Sequence, residues 1–156
     1  MIKTKRTKLS PKDLFIILIL IYIKKRWWLF AWIFILAIIL GFDGINDSFE
    51  AFFITFAIFY PILLLVQIWM YVDSKDNKIM FLERHYEIDD EKINQIIDQD
   101  TYSPIKLEHF VKVDFIRKTY LLYFSKNQFI CIPISSFESD LDREWFNFEV
   151  VKKIKK

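Results

Sequence analysis

Residues 51–72 read AFFITFAIFYPILLLVQIWMYV, twenty-two positions without a charge. As a helix rising about 1.5 Å per residue they cover roughly 33 Å, against a hydrocarbon core of about 30 Å. Residues 27–42, WWLFAWIFILAIILGF, form a second uncharged run of sixteen. It covers only about 24 Å and spans if the cations before it snorkel to the headgroups. A chain of 156 residues has too little other surface to cover two helices that are apolar all round. The pair therefore reads as a transmembrane helical hairpin over 27–72 rather than as two core helices.

Between the runs stands Asp43-Gly44-Ile45-Asn46-Asp47-Ser48, a turn with acids and no base. The cations lie on the other side: Lys3, Lys5, Arg6, Lys8, Lys12, Lys24, Lys25 and Arg26 before the pair, Lys75 and Lys78 after it. The positive-inside rule then places both termini in the cytoplasm of a bacterial inner membrane. Lys24, Lys25, Arg26, Trp27, Trp28, Trp69 and Tyr71 are expected together at the inner interface, where amphipathic rings and cations collect. Pro61 is expected to kink the second span. Gln67 reads as a wet amide near its cytoplasmic end.

Leu14–Ile23, LFIILILIYI, is too short to span. With Ser10-Pro11 as helix start, it reads as a short helix lying at, or dipping into, the inner leaflet, then a break at Lys24–Arg26. One continuous helix from Pro11 to Phe42 would place three adjacent cations near mid-bilayer, at about 2.5–3.5 kcal/mol each. Residues 1–26 thus read as a basic arm plus an interfacial helix. The arm is a topology signal that hugs an anionic leaflet, with no nucleic-acid role.

From Ile79 the hydrophobic period shortens toward two. Strands are expected at His85–Ile88 and Ile93–Ile97, with Asp89-Asp90-Glu91 as the turn. A loop is expected over Asp98–Pro104 and a strand resumes at Ile105–Leu107. Val111–Arg117, Thr119–Phe124 and Phe129–Ile134 follow, with tight turns at Lys118 and at Ser125–Gln128. Ser135/Ser136 to Lys153 reads as a helix with an apolar stripe of Leu141, Trp145, Phe148 and Val151 or Lys152. Its acids come early and its lysines late, which suits the helix dipole. The fold class expected is an α+β membrane protein: a helical hairpin, then over 79–156 a small antiparallel β roll closed by a C-terminal helix.

Three segments of that region, YEIDDEKI (Tyr86–Ile93), IKLEHFVKV (Ile105–Val113) and TYLLYFSKNQFICIP (Thr119–Pro133), followed by Phe137 and a helical tail, resemble the C-terminal domain of the YcxB-like family of small bacterial membrane proteins. The two preceding spans sit where that family has them. The resemblance implies a pleckstrin-homology-like domain on a helical hairpin. The chain departs from the family pattern at Leu107 and at Ile134-Ser135.

Catalytic material is sparse. Gly41 and Gly44 are the only glycines, so no phosphate loop can form. His85 and His109 lie far apart, and Cys131 is the sole cysteine. Asp89, Asp90 and Glu91 lack the calcium-loop pattern. Cys131 reads as packing, Ser135/Ser136 as helix caps, and Trp145, Phe146 and Phe148 as core. No cofactor, metal or enzymatic activity is expected. The chain reads as a non-enzymatic inner-membrane protein whose cytoplasmic domain binds a protein partner, a second copy or lipid headgroups. Immunity against a membrane-targeted toxin is a special case. The alternative is an accessory subunit of a larger transporter or defence complex. Asp140, Asp142 and Glu144 are the candidate partner-binding residues.

Overall fold

The computed structural model describes residues 1–42, 47–98 and 101–154. The turn expected at Asp43–Asn46 lies outside the described residues. The architecture is α+β, and the chain divides into two compact units: Pro11–Lys78, and Met1–Ser10 together with Ile79–Lys156.

The first unit is a pair of long helices, α1 (Pro11–Phe42) and α2 (Ser48–Asp73). Asp47 caps α2, its carboxylate accepting the Glu50 amide at 2.8 Å. Ring contacts fix the pairing. Phe15 meets Trp69 edge-on with centroids 5.4 Å apart, and Phe30 lies 6.2 Å from Tyr60. Early residues of α1 thus meet late residues of α2, so the helices run antiparallel. The break expected at Lys24–Arg26 is present as a kink at Arg26, where two helical stretches of α1 meet at φ −129° and ψ 21°. Leu14–Ile23 lies in the helical stretch before that kink and packs along α2, with Phe15 against Trp69. Among the described residues one helix, α2, is long and apolar enough to cross a membrane.

The second unit holds two antiparallel sheets. One has the order β1 (Ile2–Lys3), β2 (His85–Ile88), β3 (Lys92–Asp98), β4 (Thr101–Lys106); the other is β5 (Lys112–Ile116), β6 (Thr119–Tyr123), β7 (Phe129–Pro133). Asp89 closes the β2–β3 turn by accepting the amides of Glu91 and Lys92 at 2.9 and 2.7 Å. The desolvation that pushes its carboxyl up is outweighed by these two bonds, which hold it below the usual value. The turn between β5 and β6 uses two residues, Arg117 and Lys118, both at positive φ (47° and 60°), as a twisted two-residue hairpin requires. Where a loop was expected over Asp98–Pro104, β4 starts at Thr101 and pairs with β3 through Lys106↔Lys92. Pro104 disguises this strand in the sequence, but it lies on a sheet edge, where a missing N–H is tolerated.

The N-terminal arm is not a free basic tail. Ile2 pairs with Ile88 and Lys3 with Glu87. The Thr4 amide donates to the Tyr86 carbonyl at 2.9 Å, its hydroxyl accepts the Tyr86 amide at 2.8 Å, and the Lys5 amide donates to the Ser136 carbonyl at 2.7 Å. The arm therefore ties the first sheet to the segment that follows the second.

The core lies between the sheets, with Tyr86, Ile88, Ile93, Leu122 and Ile132 fully or almost fully buried. The C-terminal helical segment closes it. Its start is Ser139 rather than Ser135/Ser136: Ser139 and Asp142 form a reciprocal capping box ahead of α3 (Asp140–Phe146). A π turn at Asn147–Val151 leads into α4 (Lys152–Ile154). The face presented to the sheets is Phe146, Val150, Val151 and Ile154. Of the expected stripe, Leu141 and Phe148 are 76% and 61% exposed, and Trp145 packs only part-way in. Val151 is buried as expected, and the face centres on Phe146 and Val150, one position on from Trp145.

Candidate functional site

Several side chains singled out for chemistry are consumed by structure. Ser136 is buried and donates to the Pro133 carbonyl at 2.6 Å. Asp142 accepts the Ser139 amide and hydroxyl at 3.1 and 2.8 Å, as the other half of the capping box. Asp140 pairs with Arg143 at 3.3 Å, while Glu144 is exposed. The acidic face of α3 is thus split: Asp140 and Glu144 are exposed, whereas the Asp142 carboxylate is engaged. On the arm, Lys3 bonds Glu87 at 2.7 Å. The hydrogen bond and the carboxylate charge together raise the Lys3 ammonium above its ordinary value. Lys5, Arg6 and Lys8 are exposed.

Cys131 is buried on β7, beside a cavity of about 20 Å³ whose walls include Thr7, Met80 and Arg84. That volume holds about one water. Burial pushes the thiol up to about 12, far from the thiolate that nucleophilic work requires. The Cys131 carbonyl accepts the Tyr86 hydroxyl at 2.9 Å, a bond that crosses between the sheets. His85 lies on β2 and His109 ends the turn Leu107–His109; the latter is exposed and 3.9 Å from a Glu108 carboxylate oxygen. Among the described residues, no three His, Cys, Asp or Glu side chains gather as a metal site.

The most distinctive polar arrangement lies in the helical pair. The Tyr22 and Tyr60 hydroxyls are 2.8 Å apart. The Arg26 guanidinium sits 5.4 Å from the Tyr22 ring centre. Phe30 and Phe56 flank the two phenols. The pairings Tyr22–Tyr60 and Phe30–Tyr60 put the Arg26 kink level with the Pro61 region of α2, midway along that helix. Two weak points of the backbone therefore stand side by side, one at Arg26 and one where Pro61 lacks an amide donor.

This register separates residues that were expected at one interface. Trp69 stands level with Phe15, twelve positions before Trp27, or roughly 18 Å along the helix. Lys24, Lys25, Arg26, Trp27 and Trp28 form one level and Trp69 with Tyr71 another. The cause is the packing of the first stretch of α1 along α2. A surface-lying Leu14–Ile23 would have left the cations at the end of the pair, whereas a packed Leu14–Ile23 carries them to its middle. The Tyr22–Tyr60 bond escaped sequence reasoning, because its partners are thirty-eight positions apart. The one available signal is a phenol near the middle of the second apolar run and one near the end of Leu14–Ile23.

Comparison with family models, with curated proteins and with solved structures finds no match.

Proposed function

We propose that this chain is a membrane-anchored, non-enzymatic docking protein of the bacterial inner membrane. The helical pair is its anchor, and the two-sheet unit is a cytoplasmic module of pleckstrin-homology-like type, as in the YcxB-like family, that binds a protein partner. The observation that carries the reading is the surface of α2. This helix of twenty-six residues exposes Phe52, Phe59, Leu63, Val66 and Met70 as one continuous apolar face running its length, opposite the buried Leu64 and Val72. An apolar surface of that extent needs lipid or protein against it. Support for binding without turnover comes from Cys131, Ser136 and Asp142, whose reactive atoms are buried or engaged in structural bonds. Seven strands in two antiparallel sheets, followed by a helix whose Phe146 enters the core, fit the expected module.

The experiment has two arms. The full chain, expressed in bacteria, is expected to stay with membranes through an alkaline carbonate wash; release into the supernatant would defeat the anchor. Purified chain carrying Asp140→Lys and Glu144→Lys is expected to lose partner capture several-fold, more at low salt than at high salt, since rim charges act mainly through long-range attraction. Undiminished capture by a normally folded double variant would remove α3 from the docking surface.

A further inference from the structure

We infer that β5 is an interaction surface for a second copy of this chain: two β5 strands pair antiparallel about Val113 and join two three-stranded sheets into one of six strands. The inference rests on the two-sheet unit alone and does not depend on the membrane reading proposed above.

β5 is an open edge. Its sheet has the order β5-β6-β7, so among the described residues β5 is paired on one side only. The two-residue turn at Arg117-Lys118 closes on the pair Ile116↔Thr119. In such a hairpin that pair exchanges both of its backbone bonds, and bonded and unbonded pairs then alternate. Asp114 therefore bonds toward β6, while the amides and carbonyls of Val113 and Phe115 point away from it. Among the described residues the isolated bridges and the loop bonds lie elsewhere, so no other backbone group takes them. The other long edges, β4 and β7, carry Pro104 and Pro133, and proline blunts an edge. β5 has no proline, an apolar residue at its centre, and a Phe115 ring 54% exposed.

The order of residues along this edge selects a second copy as its occupant. Val111-Lys112-Val113-Asp114-Phe115 is a palindrome in which a cation answers an anion. Turned antiparallel about Val113, each strand sets Lys112 opposite Asp114 of the second copy, and Val111, 66% exposed, opposite Phe115. Lys112 and Asp114 already form an ion pair within each chain, so pairing closes a ring of four charges of alternating sign. The neighbouring registers do the opposite. Centred on Asp114 they set acid against acid, and centred on Lys112 cation against cation, which destabilises a strand pair. Charge thus fixes the register, and the outward backbone groups of Val113 and Phe115 supply the bonds.

The test uses the full chain in mild detergent, in a Cys131→Ala background that removes the one native thiol. Chains with Lys112→Cys and chains with Asp114→Cys, carrying different tags, are mixed and oxidised with copper phenanthroline. In the inferred register positions 112 and 114 of the two copies lie about 4.5 Å apart at Cα, against about 7–8 Å for 112 with 112 or 114 with 114. The mixed disulfide dimer is expected to form about fivefold faster than either like dimer, since the longer distances exceed disulfide reach. A like dimer forming fastest, or no preference among the three, would overturn the inference. Sedimentation then measures self-association without cross-links. Lys112→Asp and Asp114→Lys each set like charges opposite one another twice, and each is expected to weaken the dimer about tenfold. The double variant Lys112→Asp/Asp114→Lys restores the match and is expected to return to within about twofold of the unaltered chain. Circular dichroism checks the fold of every variant; where a single variant does not fold, the disulfide comparison decides. Association that neither folded single variant weakens would place the contact on another surface. A chain that stays monomeric at every concentration would leave the β5 edge to another protein's strand. Either result would overturn the inference.

Discussion

Cys131, Tyr123 and Tyr86 lie on strands of the two-sheet unit, and burial pushes all three side chains in the same direction. The Cys131 thiol and the Tyr123 phenol are raised to about 12, in both cases chiefly by desolvation, and the Tyr86 phenol is raised further still. Each stays neutral in the folded unit at a pH where the unfolded chain ionises it. The folded state then holds more protons, so stability is constant below about pH 8.5 and falls as pH rises toward 12. Urea unfolding of the two-sheet unit is expected to show a steep loss between pH 9 and 11, with Cys131 alone accounting for about 2 kcal/mol at pH 10.5. Cys131→Ala should flatten the early part of that fall. A midpoint that does not move between pH 8 and 10.5 would mean that Cys131 is open to solvent.

At the scale of the element, the C-terminal helical segment shows which of its side chains the core takes in. Phe146 is fully buried, and its ring packs 5.1 Å from Tyr120 and 5.2 Å from Phe137. The Tyr120 hydroxyl donates to the Asn147 side chain at 2.9 Å, anchoring the start of the π turn to β6. Phe146→Ala is expected to cost about 3–5 kcal/mol of stability. Trp145→Ala should cost clearly less, and Phe148→Ala should stay within about 0.5 kcal/mol, all read as shifts in denaturation midpoint at constant slope. Equal losses for Trp145 and Phe146 would restore the stripe that a regular helical period predicts.

At the scale of the whole molecule, one unit is built from the two ends of the chain. Residues 79–156 alone lack β1 and the Thr4 and Lys5 bonds, and they expose the edge of β2. An uncovered edge strand invites pairing with another chain. That fragment is expected to be less stable than the same fragment joined to residues 1–10 through a flexible linker, and more prone to associate. Thermal unfolding and light scattering of the two constructions measure both effects. Equal midpoints and equal monodispersity would show that the arm adds nothing to the fold.

Local chemistry made much of this architecture legible in the sequence. Twenty-two uncharged positions specify α2 without reference to the rest of the chain, and period-two patterns with Asp89 and Lys118 at the turns locate β2, β3, β5, β6 and β7. These signals are short-range, so the residues that carry them also express them. The remainder depends on partners distant in sequence. The arm becomes β1 only because β2, some eighty residues later, offers it an open edge. Lys24–Arg26 come to lie midway along the helical pair only because α2 meets α1 on both sides of the Arg26 kink. Which face of the C-terminal helical segment is buried depends on Tyr120 and Phe137, whose rings meet Phe146. The candidate site is of this second kind. Its cations are plain in the sequence, but their level depends on helix register, and register is a sum of side-chain contacts that no local pattern encodes.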